Sequence, residues 1–257
     1  MHKLIRGLDK LWRIVGTGIS FTMFGLGALL LTFFIFPLLT CRLRDPMARE
    51  VKVQQIISRA FRFFIGFMRT FHVIDCTIEG EATLAQDKGC LVIANHPSLI
   101  DYVMLASVMP QCDCIVKAAI WHNPFIRGIV RAAGYIPNIS PEDLLKRCEQ
   151  RLALGHRILI FPEGTRTTPG EAMTLQRGAA QIAARTGCDM RVVHITCRPS
   201  SLTKQEKWYQ VPETISLFHV VVQEKISVAP FLADAPSEAA AARRINRHLM
   251  TALLPKH

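Results

Sequence analysis

No charged residue interrupts the chain between Arg13 and Arg42, and few features restrict a fold as tightly. A helix through Ile14–Cys41, densest in apolar residues from Phe21 to Phe36, is long enough for a bilayer core of ~30 Å at ~1.5 Å per residue. It is too long for the apolar core of a signal peptide, and no small-residue cleavage site follows it. The segment reads as a retained membrane anchor that Pro37 kinks or ends near the interface. Lys3, Arg6, Lys10 and Arg13 precede it, but Arg42, Arg44, Arg49 and Lys52 follow it, so the positive-inside rule gives no orientation for a single crossing. Val51 to Phe71 then mixes Arg59, Arg62 and Arg69 with Ile56, Ile57, Phe61, Phe63, Phe64, Ile65, Phe67 and Met68. That is the pattern of a basic amphipathic helix lying among lipid headgroups. Two architectures fit: a helical hairpin that dips into one leaflet, leaving both basic flanks on one side, or a spanning helix followed by a core helix.

The remaining residues, 71–257, alternate short apolar runs with helical patterns, the order of an α/β domain. Ser140-Pro141-Glu142-Asp143 is a helix start, with a cap, a proline at the first position and acids at the positive end. Further helices are predicted over Pro124 to Ala133, over Met173 to Thr186 with Gly187 as its stop, and from Pro236 onward. Strands are predicted over Phe71–Ile78, Arg191–Cys197 and Phe218–Val222. The chain divides on this reading into membrane-anchoring helices, 1–70, and one α/β domain, 71–257, long enough for a full core.

Two blocks carry chemistry. The first apolar run, Cys90 to Ala94, empties into Asn95-His96-Pro97-Ser98-Leu99-Ile100-Asp101. Pro97 and Ser98 read as a helix opening, which sets Asp101 in the next turn, able to fold back on His96. A carboxylate against one imidazole nitrogen fixes the tautomer and leaves the other nitrogen free to take a proton. The second run, Arg157 to Phe161, empties into Pro162-Glu163-Gly164-Thr165-Arg166-Thr167. Gly164 permits a positive φ, the threonines offer hydroxyls, and Arg166 offers a planar fork of donors suited to phosphate. The bland alternative for Glu163 and Arg166 is a salt bridge across the turn. Both blocks follow apolar strands, and α/β folds gather ligand groups at the carboxyl ends of strands.

Asn-His-x4-Asp followed by Phe-Pro-Glu-Gly-Thr-Arg resembles the glycerolipid acyltransferases, the family that includes 1-acylglycerol-3-phosphate acyltransferase, over roughly Phe71 to Val228. The resemblance implies a mixed sheet flanked by helices and direct transfer of a fatty acyl group from an acyl thioester to a lipid hydroxyl. It implies that His96 is the general base and Asp101 its orienting partner, and that Glu163, Gly164, Thr165 and Arg166 hold the acceptor. Asn95 and Ser98 are expected beside them among the substrate-binding residues. Two departures bear on the acceptor. Where the family carries Gly-x-x-Phe-Ile-Asp-Arg, this chain reads Gly134-Tyr135-Ile136-Pro137-Asn138-Ile139-Ser140, with no arginine. His194 stands where a late proline is usual. Arg177, after the third motif, is a further candidate for an anionic substrate; Lys117 reads more readily as a surface charge.

A formal charge of +11 and a mean hydropathy of +0.23 favour anionic, membrane-borne partners: phospholipids, and acyl-CoA or an acidic acyl carrier protein as donor. Nucleic acid fits poorly, since the charges are spread around apolar helices and no nucleic-acid-binding motif occurs. No metal ligand set and no cofactor is expected: the eight cysteines are scattered without a Cys-x2-Cys pair, like reduced thiols facing a cytoplasm. The expected location is the cytoplasmic face of a bacterial inner membrane. Competing readings are a transferase for a specialised, non-glycerophosphate acceptor, a lipid esterase, which lacks a Gly-x-Ser-x-Gly elbow here, and a catalytically silent lipid-binding protein.

Overall fold

The protein's structure, a computed structural model, describes residues 2–124, 126–168 and 170–254, with the backbone alone for 2–5. Met1, the side chain of Lys3 and residues 255–257 lie outside the described residues. The uncharged segment forms one long helix in three pieces: α1 (His2–Leu30), a π-helical turn (Leu31–Ile35) and α2 (Phe36–Arg42). Pro37 neither kinks it to a stop nor ends it. Proline has no N–H to offer the preceding turn, and the wider π turn immediately upstream takes up the mismatch. Arg6–Arg42 is long and apolar enough to cross a membrane, and only a small share of it is covered by the protein.

Asp45 reverses the chain. Its carboxylate accepts the N–H groups of Met47 and Ala48, both at 3.1 Å, and Pro46 opens α3 (Pro46–Thr70). This helix returns antiparallel to α1, stacking Phe61 on Phe24, Phe64 on Phe21 and Phe71 on Trp12. The two therefore form a helical hairpin. The apolar face of α3, expected at headgroup level, is instead largely covered by protein: Val53, Ile57, Phe64, Ile65 and Met68 are buried. These side chains pack into the apolar cores beneath the sheet and the helix Arg127–Ala132, and the polar members of the same face are bonded there too. Gln54 donates to Asp113 Oδ1 at 2.6 Å and to the Ala133 carbonyl at 2.8 Å, and Ser58 donates to the Ser107 carbonyl at 3.0 Å. These buried partners exist only on the α/β domain.

The strands are β1 (Ile74–Glu79), β2 (Leu91–Ala94), β3 (Asp113–Lys117), β4 (Ile136–Asn138), β5 (Ile158–Ile160), β6 (Met190–Arg198) and β7 (Ser216–Ile226). They form one sheet in the order β1-β7-β6-β2-β5-β3-β4. Every pairing is parallel except β6 with β7, which is antiparallel, so the sheet is mixed, as expected. The helices that follow are α4 (Glu81–Gln86), α5 (Asp101–Val108), α6 (Ala118–His122), α7 (Arg127–Ala132), α8 (Pro141–Ala153), α9 (Gly178–Thr186), α10 (Ala229–Ala233) and α11 (Glu238–Leu253). Side chains alternate across a strand, and both faces of β2 are used. Val92 and Ala94 join the core under α3 and α5 with Met68, Met104 and Phe218. Leu91 and Ile93 join the core under α8, α9 and α11 with Ala183, Ile245 and Leu249. This explains why the run reads as unbroken apolar residues.

Four helices begin later than their sequence patterns predict: α7 at Arg127 and α11 at Glu238, and, both at the site, α5 and α9. Helix α5 starts at Asp101 rather than at Pro97, because Leu99 N–H and Ser98 Oγ are taken by the Leu202 and Ser201 carbonyls at 3.1 and 2.9 Å. Helix α9 starts at Gly178 rather than near Met173, because Gln176 N–H is bonded to the Pro162 carbonyl at 2.7 Å.

Candidate active site

Strands β2 and β5 are neighbours in parallel register, Val92 opposite Leu159 and Ile93 opposite Ile160, so both motifs leave the sheet side by side at its carboxyl edge. His96 lies just past β2, its ring stacked on Phe161 with centroids 4.2 Å apart. Its Nδ1 meets Asp101 Oδ2 at 2.8 Å, and the same oxygen accepts Ser98 N–H at 2.6 Å. The main chain of His96 is held by the other motif: its N–H donates to Glu163 Oε1 at 2.9 Å, and its carbonyl accepts Thr167 N–H at 2.7 Å. With Nδ1 committed to the carboxylate, Nε2 is the nitrogen that can accept a proton. Asp101 is fully buried. Burial pushes its carboxyl up to about 6, against the opposing pull of the His96 hydrogen bond.

The expected substrate-binding residues separate into three groups. Gly164, Thr165 and Arg166 line a cavity of about 670 Å³ together with His96. Gly164 holds φ +69° at the turn, a conformation that a side chain would resist. Asn95, Ser98 and Glu163 are buried behind that cavity, their side chains turned to the protein. Asn95 clips β2 to β6 beyond the end of their ladder, donating to the Ile195 carbonyl and accepting Ile195 N–H, both at 2.7 Å. Glu163 also accepts Thr167 Oγ1 at 2.8 Å, so it orients both motifs rather than pairing with Arg166. Arg177 is the third case: it is exposed and is not among the residues that line the cavity.

Arg166 Nη1 donates to the Leu202 and Thr203 carbonyls at 2.9 and 2.8 Å. Lys117, Asn138 and Lys204 complete the polar mouth of the cavity. Lys117 ends β3 as His96 follows β2, and the carboxyl-edge rule that found the motifs applies equally to it. Nothing local in the sequence marks Lys204. Deeper in, the cavity is walled by Cys114, Val116, Val130, Leu144, Leu159 and Ile182. Burial pushes the Cys114 thiol up to about 12, which keeps it uncharged in that wall. Tyr102 donates to the Tyr135 hydroxyl at 2.5 Å, and burial raises both phenols. Among the described residues, no group of three or more His, Cys, Asp or Glu side chains is arranged to hold a metal ion.

Residues 75–198 match the Acyltransferase family. The chain is 34% identical to a chloroplastic 1-acyl-sn-glycerol-3-phosphate acyltransferase of Brassica napus over 44% of this chain and 33% of that protein. It thus spans about a third of the plant relative's length. It is 24% identical to the 1-acyl-sn-glycerol-3-phosphate acyltransferase of Pseudomonas aeruginosa over 73% of this chain and 71% of that one. Its fold is that of the crystal structure of the Thermotoga maritima 1-acyl-sn-glycerophosphate acyltransferase, with a TM-score of 0.66 at 19% identity over 98% of this chain and 99% of that chain. Both motifs, at the edge of one sheet, lie within the segment that matches the Acyltransferase family model.

Proposed function

We propose that the protein transfers a fatty acyl group from an acyl thioester, acyl-CoA or acyl carrier protein, to the free hydroxyl of 1-acylglycerol-3-phosphate. The observation that carries this reading is the His96–Asp101 pair at the mouth of a largely apolar cavity whose rim bears Arg166, Lys117 and Lys204. His96 Nε2 takes the acceptor's hydroxyl proton as the oxygen attacks the thioester carbonyl. The tetrahedral adduct collapses, the C–S bond breaks, and the imidazolium returns the proton to the leaving thiolate. The ionised Asp101 stabilises the imidazolium between the two transfers. The apolar walls suit a fatty chain, and the cationic rim suits phosphate on acceptor or donor. The names of the relatives support the same acceptor. The long apolar helix favours work at a bilayer, and the basic flanks of the hairpin favour the cytoplasmic face of a bacterial inner membrane.

A second reading, an acceptor without phosphate, is favoured by one observation: the middle-motif position carries no arginine, and Asn138 lines the cavity there. The test is mass spectrometry of products from the full-length protein in vesicles given 1-acylglycerol-3-phosphate with each thioester. Phosphatidate is the expected product. Release of free fatty acid without any acylated acceptor would replace transfer by hydrolysis.

Acidity should report on the pair. Protonating Asp101 removes the anion that steadies the imidazolium, so kcat/KM is expected to fall as pH drops through about 6. A profile flat from pH 8 to pH 5 would contradict the assigned pair.

A further inference from the structure

We propose that the tip of the β6–β7 loop docks on an anionic phospholipid surface and carries that contact to the catalytic motifs; this rests on the membrane attachment of α1 proposed above. The root of the loop belongs to the site. Ser201, Leu202 and Thr203 are buried, and their carbonyls accept Ser98 Oγ, Leu99 N–H and Arg166 Nη1. Leu202 holds φ +56°, left-handed strain that persists only where surrounding bonds over-determine the backbone.

The tip is built the opposite way. Trp208 and Tyr209 are 48% and 44% exposed and stand among the exposed Lys204 and Lys207. The Lys207 ammonium lies 5.7 Å from the centre of the Tyr209 ring. The Trp208 indole rests on α1, where a Cβ at Gly18 would come within 3.2 Å of it. Trp208 thereby lines one open groove with Val15, Ile19 and Leu26, side chains of the exposed face of the apolar helix. Further along, the Glu213 carbonyl accepts Arg13 Nη2 at 2.6 Å, so the loop is fastened to α1 twice. Glu206 is turned inward to Thr203 N–H at 2.9 Å, which leaves the lysines as the outward charges between residues 204 and 209.

Aromatic rings with polar tips, beside lysines and continuous with an apolar helix face, match the chemistry of a bilayer interface. The lysines complement anionic headgroups. A bilayer covers the tip and α1 together, whereas a soluble partner on the tip would leave the helix face exposed. Lipid contact at Trp208 and Tyr209 then bears on the carbonyls that hold Arg166 and on Lys204 at the cavity mouth.

The test uses the full-length protein carrying Trp12→Phe and Trp121→Phe, which leaves Trp208 as the sole indole. It is reconstituted in vesicles of phosphatidylglycerol and phosphatidylcholine whose acyl chains are brominated near the ester or near the terminus, with flotation measured alongside. Trp208 fluorescence is expected to be quenched more strongly by bromine near the ester. In otherwise native protein, Trp208→Ser with Tyr209→Ser should raise KM for acceptor in anionic vesicles about ten-fold. It should leave KM and kcat for detergent-dispersed acceptor unchanged; Trp208→Phe should restore the vesicle KM. Protein that floats with an unquenched Trp208 overturns the docking loop while the α1 anchor stands. Protein that fails to float overturns the anchor, and the inference with it.

Discussion

Replacing His96 with alanine is expected to lower acyl-transfer turnover by ~10²–10⁴-fold while the fold persists. The two bonds that knit the motifs at this position use the histidine main chain, its N–H to Glu163 and its carbonyl from Thr167, and alanine keeps both. The ring contributes a stack on Phe161 and the bond to Asp101. Asp101→Asn should cut turnover comparably by a different route. An amide facing Nδ1 no longer demands a proton there, so the imidazole can take the tautomer whose Nε2 is already protonated. The stability effect has the opposite sign. The folded protein holds the Asp101 proton up to about pH 6, against an ordinary value near 3.8. This residue therefore favours folding below pH 3.8, and that contribution is lost as pH rises through about 6. The displacement corresponds to roughly 3 kcal/mol opposing folding at neutral pH. Asp101→Asn removes the cost of burying the anion, so its unfolding midpoint at pH 7.5 should equal or exceed that of the native chain while turnover collapses. Turnover assays and thermal unfolding of both variants check this. Near-normal turnover in His96→Ala would end the proposed mechanism.

The meeting of Asp101 with His96 was legible from sequence because the apolar strand before them and the matching strand before Glu163 mark a common sheet edge. Helix types and the long uncharged segment were legible for the same reason: periodicity and length are local quantities. What sequence could not supply was direction. Asn95, Ser98 and Glu163 stand within the motifs, yet their side chains point into the protein, because partners from β6, the β6–β7 loop and the opposing motif await them. Lys204 reaches the cavity from that same loop, and its arrival depends on how residues 201–203 fold under Arg166. The buried face of α3 also carries Gln54 and Ser58. Their partners, Asp113 and the Ser107 carbonyl, lie far away in sequence and meet them only in the fold.

Arg166→Ala is expected to raise KM for 1-acylglycerol-3-phosphate by about ten- to a hundred-fold, the loss of one charge-assisted hydrogen bond worth roughly 1.5–3 kcal/mol. Arg166 lines the cavity with one nitrogen committed to the Leu202 and Thr203 carbonyls, so the rest of its planar fork remains for an anion. The size of the effect depends on what replaces the missing middle-motif arginine. Arg177, the first sequence-based choice, lies outside the lining. Lys117 is better situated: it pairs in register with Asn138 across β3 and β4, and both line the cavity. Lys117→Ala should therefore raise the same KM, and the double variant should lose more than either single change if both cations touch one phosphate. Arg166→Lys is the control for the loop: it retains charge and donors, so KM should recover part of the loss if phosphate contact dominates. With a neutral acceptor such as a monoacylglycerol, the same substitutions should change KM little. A chain that uses the neutral acceptor better than the phosphorylated one, and whose Arg166→Ala form is equally active on it, would exchange the leading substrate for the phosphate-free alternative while leaving His96 and Asp101 in their roles.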